Sequence, residues 1–184
     1  PMLYILPTDT CLWLWCSIDD DIWYKNIYKL KKRPLKKPLS IMVESFSWLD
    51  KNTILTWEQI DFLKKYPKPF TILTKSPYLT MFLGLEDEND KLLYENWDLY
   101  DKIAFRVAHN DIQKELIWEV GSIFLTSANL SGDEELYDFE VAKELFKNTK
   151  DIKFLWTWSI EKTPPSDIFE FVWDSLEIKY LRKN

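Results

Sequence analysis

The stretch "KLKKRPLKKPL" gathers Lys29, Lys31, Lys32, Arg33, Lys36 and Lys37 within nine residues. Such a cluster can grip phosphate, although cations at a helix end also complement the dipole there. A nuclear-targeting or RNA-contacting patch is a third reading. The segment "FLTSANLSGD" sets Thr126, Ser127, Asn129, Ser131 and Gly132 on a tight turn. Its hydroxyl, amide and backbone donors can hold phosphate or carboxylate oxygens, and an ordinary Ser/Asn/Gly turn has the same composition. In "PTDT", Pro7 stiffens the chain and Thr8, Asp9 and Thr10 present short polar groups, for a ligand or for a cap. Arg106 interrupts the apolar run "IAFRVA". Facing inward it needs a partner or a ligand, and facing outward it is merely solvated. His109, in "AHND", is the single histidine, which leaves no Ser/His/Asp set. There is also no Walker-type glycine loop ahead of a lysine.

The elements that position these residues follow from pattern. "LYIL" reads as a short buried strand that runs into a loop carrying Trp13 and Trp15. Asp19 to Asp21 cap a helix through "IWYKNIYKLKKR" with Ile22, Ile27 and Leu30 on one side. Pro34 stops that helix, and Pro38 precedes a strand in "LSIMV". Thr56 and Gln59 have capping-box spacing ahead of Ile60 and Leu63. "PFTILT" and "KIAFRVA" read as strands around an acidic surface hairpin or loop, Glu86 to Asp101. Asn110 or Asp111 opens a helix, "SIFLTSANLSG" is a strand entering a polar loop, and Asp138 caps "FEVAKELFKN". "DIKFLW", "DIFEFV" and "LEIKYL" close the pattern as strands. The interleaving predicts one α/β domain over residues 1–184, a twisted mixed sheet flanked by helices.

The chain has 184 residues, 46% hydrophobic and 29% charged, which suits one soluble globular domain. A net charge of −6 speaks against a surface that binds nucleic acid all over. No apolar run reaches the length of a bilayer span. Cys11 and Cys16 with one histidine make no structural zinc site, and reduced thiols predict a cytoplasmic protein. One pair of counts stands out. Average usage predicts about 13 glycines, whereas the chain has 3, beside 10 tryptophans. Together they equal the number expected for glycine alone.

The order "LPTDT", "KKRPLKKPLSIMV", "YPKPFTILTK", "IAFRVA", "LTSANLSG", "PPSDIFEF" resembles the YrdC/TsaC family, the threonylcarbamoyl-AMP synthases. The resemblance covers nearly the whole chain. Its most specific parts are "TSANLSG" and the spacing of Lys31, Arg33, Pro34, Pro38 and Leu39. It implies a sheet framing an open, basic cavity, in which ATP, L-threonine and bicarbonate give threonylcarbamoyl-AMP and pyrophosphate. A threonylcarbamoyl transferase complex of TsaD/TsaB/TsaE type then passes the group to tRNA, with no membrane involved. It implies Lys31 and Arg33 as the catalytic pair. ATP would be held by Lys31, Arg33, Lys37, Ser127, Asn129 and Arg182, with Mg borne on its phosphates and not on protein ligands. Threonine would be held by Thr8, Thr10, Arg106 and Ser166. The cavity is expected to gather Arg33, Ser127, Asn129 and Thr8.

The family has glycine where this chain has Trp13 and Trp15, and glycine-rich turns around Trp156, Trp158 and Trp173. In lineages that read UGA as glycine, translation with UGA as tryptophan prints Trp at glycine codons. Many of the ten tryptophans are therefore expected to be glycine, with Trp23, Trp48, Trp57, Trp97 and Trp118 open individually; the other reading is a truly Trp-rich chain with the indoles as core. Glycine at 13 and 15 would permit positive φ and close approach to a ligand. Other departures are Leu12 after the turn, Lys37, Met42, Lys68, and a first strand without the N-terminal helix typical of the family. The rival readings are an RNA-binding module of the same fold, an inactive homologue whose indoles fill the cavity, and carbamoyl-adenylate chemistry. The last needs further domains.

Overall fold

The computed structural model describes residues 2–33, 39–77, 102–154 and 160–184. Lys36, Lys37, Pro34, Pro38, the acidic segment 86–101, Trp97, Trp156 and Trp158 lie outside them.

Among the described residues, nine strands form one mixed sheet in the order β7-β1-β2-β6-β3-β5-β4-β8-β9. They are β1 (Leu3–Pro7), β2 (Leu12–Ser17), β3 (Ser40–Val43), β4 (Phe70–Thr74), β5 (Ile103–Val107), β6 (Ile123–Ser127), β7 (Ile152–Phe154), β8 (Asp167–Phe171) and β9 (Ile178–Arg182). The helices among the described residues are α1 (Asp21–Lys31), α2 (Phe46–Asn52), α3 (Trp57–Lys64), α4 (Asp111–Val120) and α5 (Phe139–Leu145). The α/β class and the mixed sheet agree with the pattern. The pairs β1–β7, β3–β5 and β4–β8 are parallel, and the other neighbours are antiparallel.

Caps fix the helix starts where short polar residues precede apolar periodicity. Asp20 accepts from the N–H of Trp23, Asn110 from Gln113, and Asp138 from Glu140 and Val141. Thr56 and Gln59 close the full capping box. Helix α1 buries Trp23, Tyr24, Ile27 and Tyr28, each contributing about 1.5–3 kcal/mol of transfer free energy. The expected stripe is corrected at one end, because Ile22 is 59% exposed. Tyr24 and Tyr28, whose hydroxyls meet at 3.3 Å, turn the buried face toward themselves.

The expected loop at Trp13 and Trp15 is instead strand β2, which pairs with β1 on one side and β6 on the other. Alternation along β2 divides the core. Leu12, Leu14 and Cys16 join a cluster containing residues of α1, α2, α3 and α5. Trp13 and Trp15 point to the opposite face, with Met42, Leu125 and Ile117 of α4. Both tryptophans are buried, and extended backbone there needs no positive φ. The reason offered for glycine at 13 and 15 therefore shifts from backbone conformation to side-chain volume.

At Trp173 the conformational reason holds. Its φ is +53° and its side chain is 91% exposed, so a bulky residue adopts left-handed backbone without packing in return. Gln59 holds this turn from below by donating from Nε2 to the carbonyls of Trp173 and Ser175, each at 2.8 Å. Trp173→Gly is expected to stabilise the chain by about 1–2 kcal/mol, seen as a higher urea midpoint with unchanged slope. Trp23 and Trp48 instead pack in the main core.

Candidate active site

Residue 31 follows Ile27 by four and Tyr28 by three, so the helix period carries Lys31 onto the buried face of α1. Its ammonium donates to Ser127 O, to Asn129 O at 2.6 Å and to Asn129 Oδ1 at 3.3 Å. The Lys31 carbonyl accepts from Ser131 N at 2.9 Å. The end of α1 and the loop after β6 are thus one unit, and Asn129 Nδ2 tightens that loop by donating to Asp133 O at 2.8 Å. Burial, with Arg33 adding repulsion, pulls the Lys31 ammonium from its usual 10.5 down to about 7. Arg33 follows directly on the left-handed Lys32 (φ 52°) that ends the helix.

The second group lies on the sheet face that holds Trp13. Phe105 faces the main core, so the next residue on β5, Arg106, faces the other way and is buried. Its Nη2 meets Asp9 Oδ1 at 2.5 Å, while Nη1 donates to Phe70 O at 3.3 Å and approaches Thr71 Oγ1 at 3.4 Å. Thr71 Oγ1 lies 2.9 Å from Ser166 Oγ. Arg182 in turn donates from Nε to Ser166 O at 2.8 Å and from Nη2 to Ser166 Oγ at 3.1 Å. Two guanidiniums, two hydroxyls and one carboxylate make a continuous polar wall. Arg106 Nε is buried with no hydrogen-bond partner among the described residues.

The β1–β2 turn sits against this wall. Thr8 Oγ1 donates to Cys11 O at 2.8 Å and lies 3.2 Å from Thr10 Oγ1. Thr10 is buried, and its hydroxyl accepts from Trp13 Nε1 at 3.2 Å. The Trp13 ring also carries the Arg106 guanidinium, 5.1 Å from its centroid. Thr163 donates to Thr10 O at 2.7 Å, joining the segment before Ser166 to the turn. A cavity of about 450 Å³ opens beside Thr163, lined also by Glu134, Tyr137 and Lys162.

The structure therefore groups the expected residues in two sets: Lys31, Ser127 and Asn129, with Arg33 adjoining, and Thr8, Thr10, Arg106, Ser166 and Arg182. Register connects the sets, since Trp13 on β2 pairs with Ser127 on β6. Sequence reasoning missed Asp9, Thr71 and Thr163 as members of the wall. The period-2 pattern of β4 could have flagged Thr71, which is buried between Phe70 and Ile72. His109 is exposed, as expected of a loop residue. Burial pushes the Cys11 thiol up to about 12, with Glu135 adding to it, so it supplies no thiolate. Among the described residues no group of His, Cys, Asp and Glu is placed to hold a metal, and no helix is long and apolar enough to cross a membrane.

A mixed sheet flanked by helices, with Arg106 and Arg182 beside the hydroxyl-bearing β1–β2 turn, defines an α/β protein with a polar wall on one sheet face. The family described as "Telomere recombination", Sua5/YciO/YrdC, matches residues 2–183, and the chain belongs to it. It is 25% identical over 147 residues to the threonylcarbamoyl-AMP synthase of Pseudoalteromonas translucida (strain TAC 125), covering 77% of this chain and 72% of that protein. The protein of that name from Psychromonas ingrahamii (strain DSM 17664 / CCUG 51855 / 37) is 27% identical over 147 residues, covering 77% and 71%. Sua5 from P. abyssi, solved in complex with L-threonine, shares the fold with a TM-score of 0.74 at 22% identity. That match covers 98% of this chain and 50% of the other, so this chain spans half of its length.

Proposed function

We propose that this chain is an L-threonylcarbamoyl-AMP synthase, making threonylcarbamoyl-AMP and pyrophosphate from ATP, L-threonine and bicarbonate. The observation that carries the reading is buried Arg106, whose unpartnered Nε adjoins a polar wall of hydroxyls. A guanidinium there suits a carboxylate, which it binds through two parallel hydrogen bonds. The relatives named threonylcarbamoyl-AMP synthase support the same assignment.

The amine of threonine and bicarbonate first give a carbamate and water, and a carbamate oxygen then attacks the α-phosphate and displaces pyrophosphate. Charge gathers on phosphate oxygens, so positioning and cationic stabilisation outweigh proton transfer by the protein. In this reading Arg33 and Lys37 reach the phosphates, and Lys31 fixes the Ser127–Asn129 loop against them. Arg106 takes the carboxylate of threonine, with Thr8, Thr10 and Ser166 around it. Arg182, which is bound to Ser166, braces the nucleotide side. Magnesium enters with the ATP as its phosphate-bound counterion. The adenylate would pass to a transferase complex of TsaD/TsaB/TsaE type for tRNA modification in the cytoplasm.

The test is pyrophosphate release from ATP with threonine and bicarbonate each omitted in turn. Release that needs both supports the reading, and release independent of threonine refutes it. Arg33→Ala is expected to lower turnover by about 100-fold or more. Salt-dependent tRNA binding without ATP consumption would favour the RNA-binding alternative.

A further inference from the structure

The hydrogen bonds of Arg106 are unevenly used. A carboxylate that binds a guanidinium side-on takes Nε–H and one Nη2–H together. Asp9 Oδ1 meets Nη2 at 2.5 Å, while the neighbouring Nε finds no partner among the described residues. Asp9 therefore holds one arm of a two-armed fork. The other terminal nitrogen is committed to the β4 backbone and to Thr71, which fixes the guanidinium plane without using the fork. The Trp13 ring beneath it adds a further restraint.

Asp9 and Arg106 stand on different elements. The aspartate lies in the β1–β2 turn, which hydrogen-bonds to the Thr163 segment through the carbonyl of Thr10, whereas Arg106 is part of a paired strand inside the sheet. Its side chain is partly open to solvent, at 16%, against 4% for that of Arg106. A carboxylate at the edge of a turn can return to water when another carboxylate takes its place on the buried guanidinium, which would otherwise be left unpaired, whereas the arginine cannot leave.

We infer that Asp9 is an internal competitor of the amino-acid substrate. Its carboxylate and the carboxylate of threonine contend for the same Nη2 of Arg106, and threonine prevails by engaging Nε as well. The inference rests on the reading of Arg106 as the carboxylate subsite and adds a gate to it. An amino acid without a free carboxylate cannot displace Asp9, and the apparent affinity for threonine is lowered by the fraction of molecules in which Asp9 holds the fork. Asp9 touches Arg106 and not the reacting atoms, so it is a specificity-setting residue and not a catalytic one.

The experiment is calorimetric titration of L-threonine into the wild-type chain and into Asp9→Asn, each first shown to melt cooperatively. Asp9→Asn keeps the shape and removes the charge, and it is expected to bind threonine about tenfold more tightly. Threonine amide is expected to bind neither protein measurably. Asp9→Ser, with a small turn-compatible side chain, repeats the measurement should the amide variant fail to fold. Equal or weaker threonine binding by a folded variant, beside measurable binding by wild type, overturns the gate and leaves the carboxylate subsite standing. If neither the chain with Trp13 nor Trp13→Gly takes up threonine, the subsite itself is refuted and the gate with it.

Discussion

Replacing Trp13 by glycine is expected to raise threonine-dependent pyrophosphate release by about tenfold or more, which a barrier lower by about 1.4 kcal/mol would give. The indole of Trp13 lies beneath Arg106 and ties up the Thr10 hydroxyl. Both groups are meant for substrate in the proposed reading, so glycine would free them and open the sheet face beside them. Trp15, stacked on Tyr4 with ring centroids 4.2 Å apart, is buried with Nε1 unpartnered among the described residues. Such an orphaned donor costs about 1–3 kcal/mol, which a glycine there would not incur. The opposite outcome is equally definite. If the indoles are native core, Trp13→Gly costs about 3–5 kcal/mol of stability and turnover falls. Peptide mapping of protein made in its own organism gives an independent check, with glycine expected at 13, 15 and 173.

The second large effect is expected at Lys31. Lys31→Ala removes the donor shared by Ser127 O, Asn129 O and Asn129 Oδ1. Ser127 O keeps the Asn129 N–H at 2.9 Å, but with the Asn129 carbonyl and Oδ1 losing this donor, turnover is expected to be abolished and the melting temperature lowered. The pH dependence separates charge from scaffolding. Because the Lys31 pKa is held near 7, the ammonium is lost as pH rises through that value. ATP affinity should weaken over the same range, while Lys31→Arg, which does not titrate there, keeps it level. Stability moves the other way. Between about 7 and its usual 10.5 the unfolded chain binds the proton and the folded chain does not. Stability should therefore rise with pH across that window, whereas below it the full cost of burying the charge remains. Thermal melts and ATP titrations on either side of neutrality check both slopes.

Much of the scaffold was legible because its signals are local. Asp20, Thr56, Asn110 and Asp138 cap the helices that their positions announce, and the apolar runs ending at Leu6, Thr74 and Val107 lie in strands. Strand β2 was missed because both its faces are buried, so "LWLWCS" shows no polar alternation, and its tryptophans drew attention to a turn. Helix α2 was missed because one buried residue, Leu49, leaves no periodic stripe. In the candidate site, the polar motifs were legible as motifs, but their partners were not. Lys31 reads as a solvated helix end until Ile27 and Tyr28 are used to orient its face. Asp9 reads as a turn residue, because its contact with Arg106 spans 97 positions of sequence, beyond any local pattern. The face taken by Arg106 needed the sheet itself.

The division of side chains along β2 also bears on how faithfully the strand aligns during folding. Leucines and Cys16 serve one face and the bulky or, if recoded, absent side chains of positions 13 and 15 the other, so a slip by one residue would exchange the two sets. With glycine at both positions, that slip would drive leucines onto the sheet face that carries Arg106 and leave α1 resting on bare backbone. The same asymmetry would then penalise misalignment, making β2 its own proofreading device.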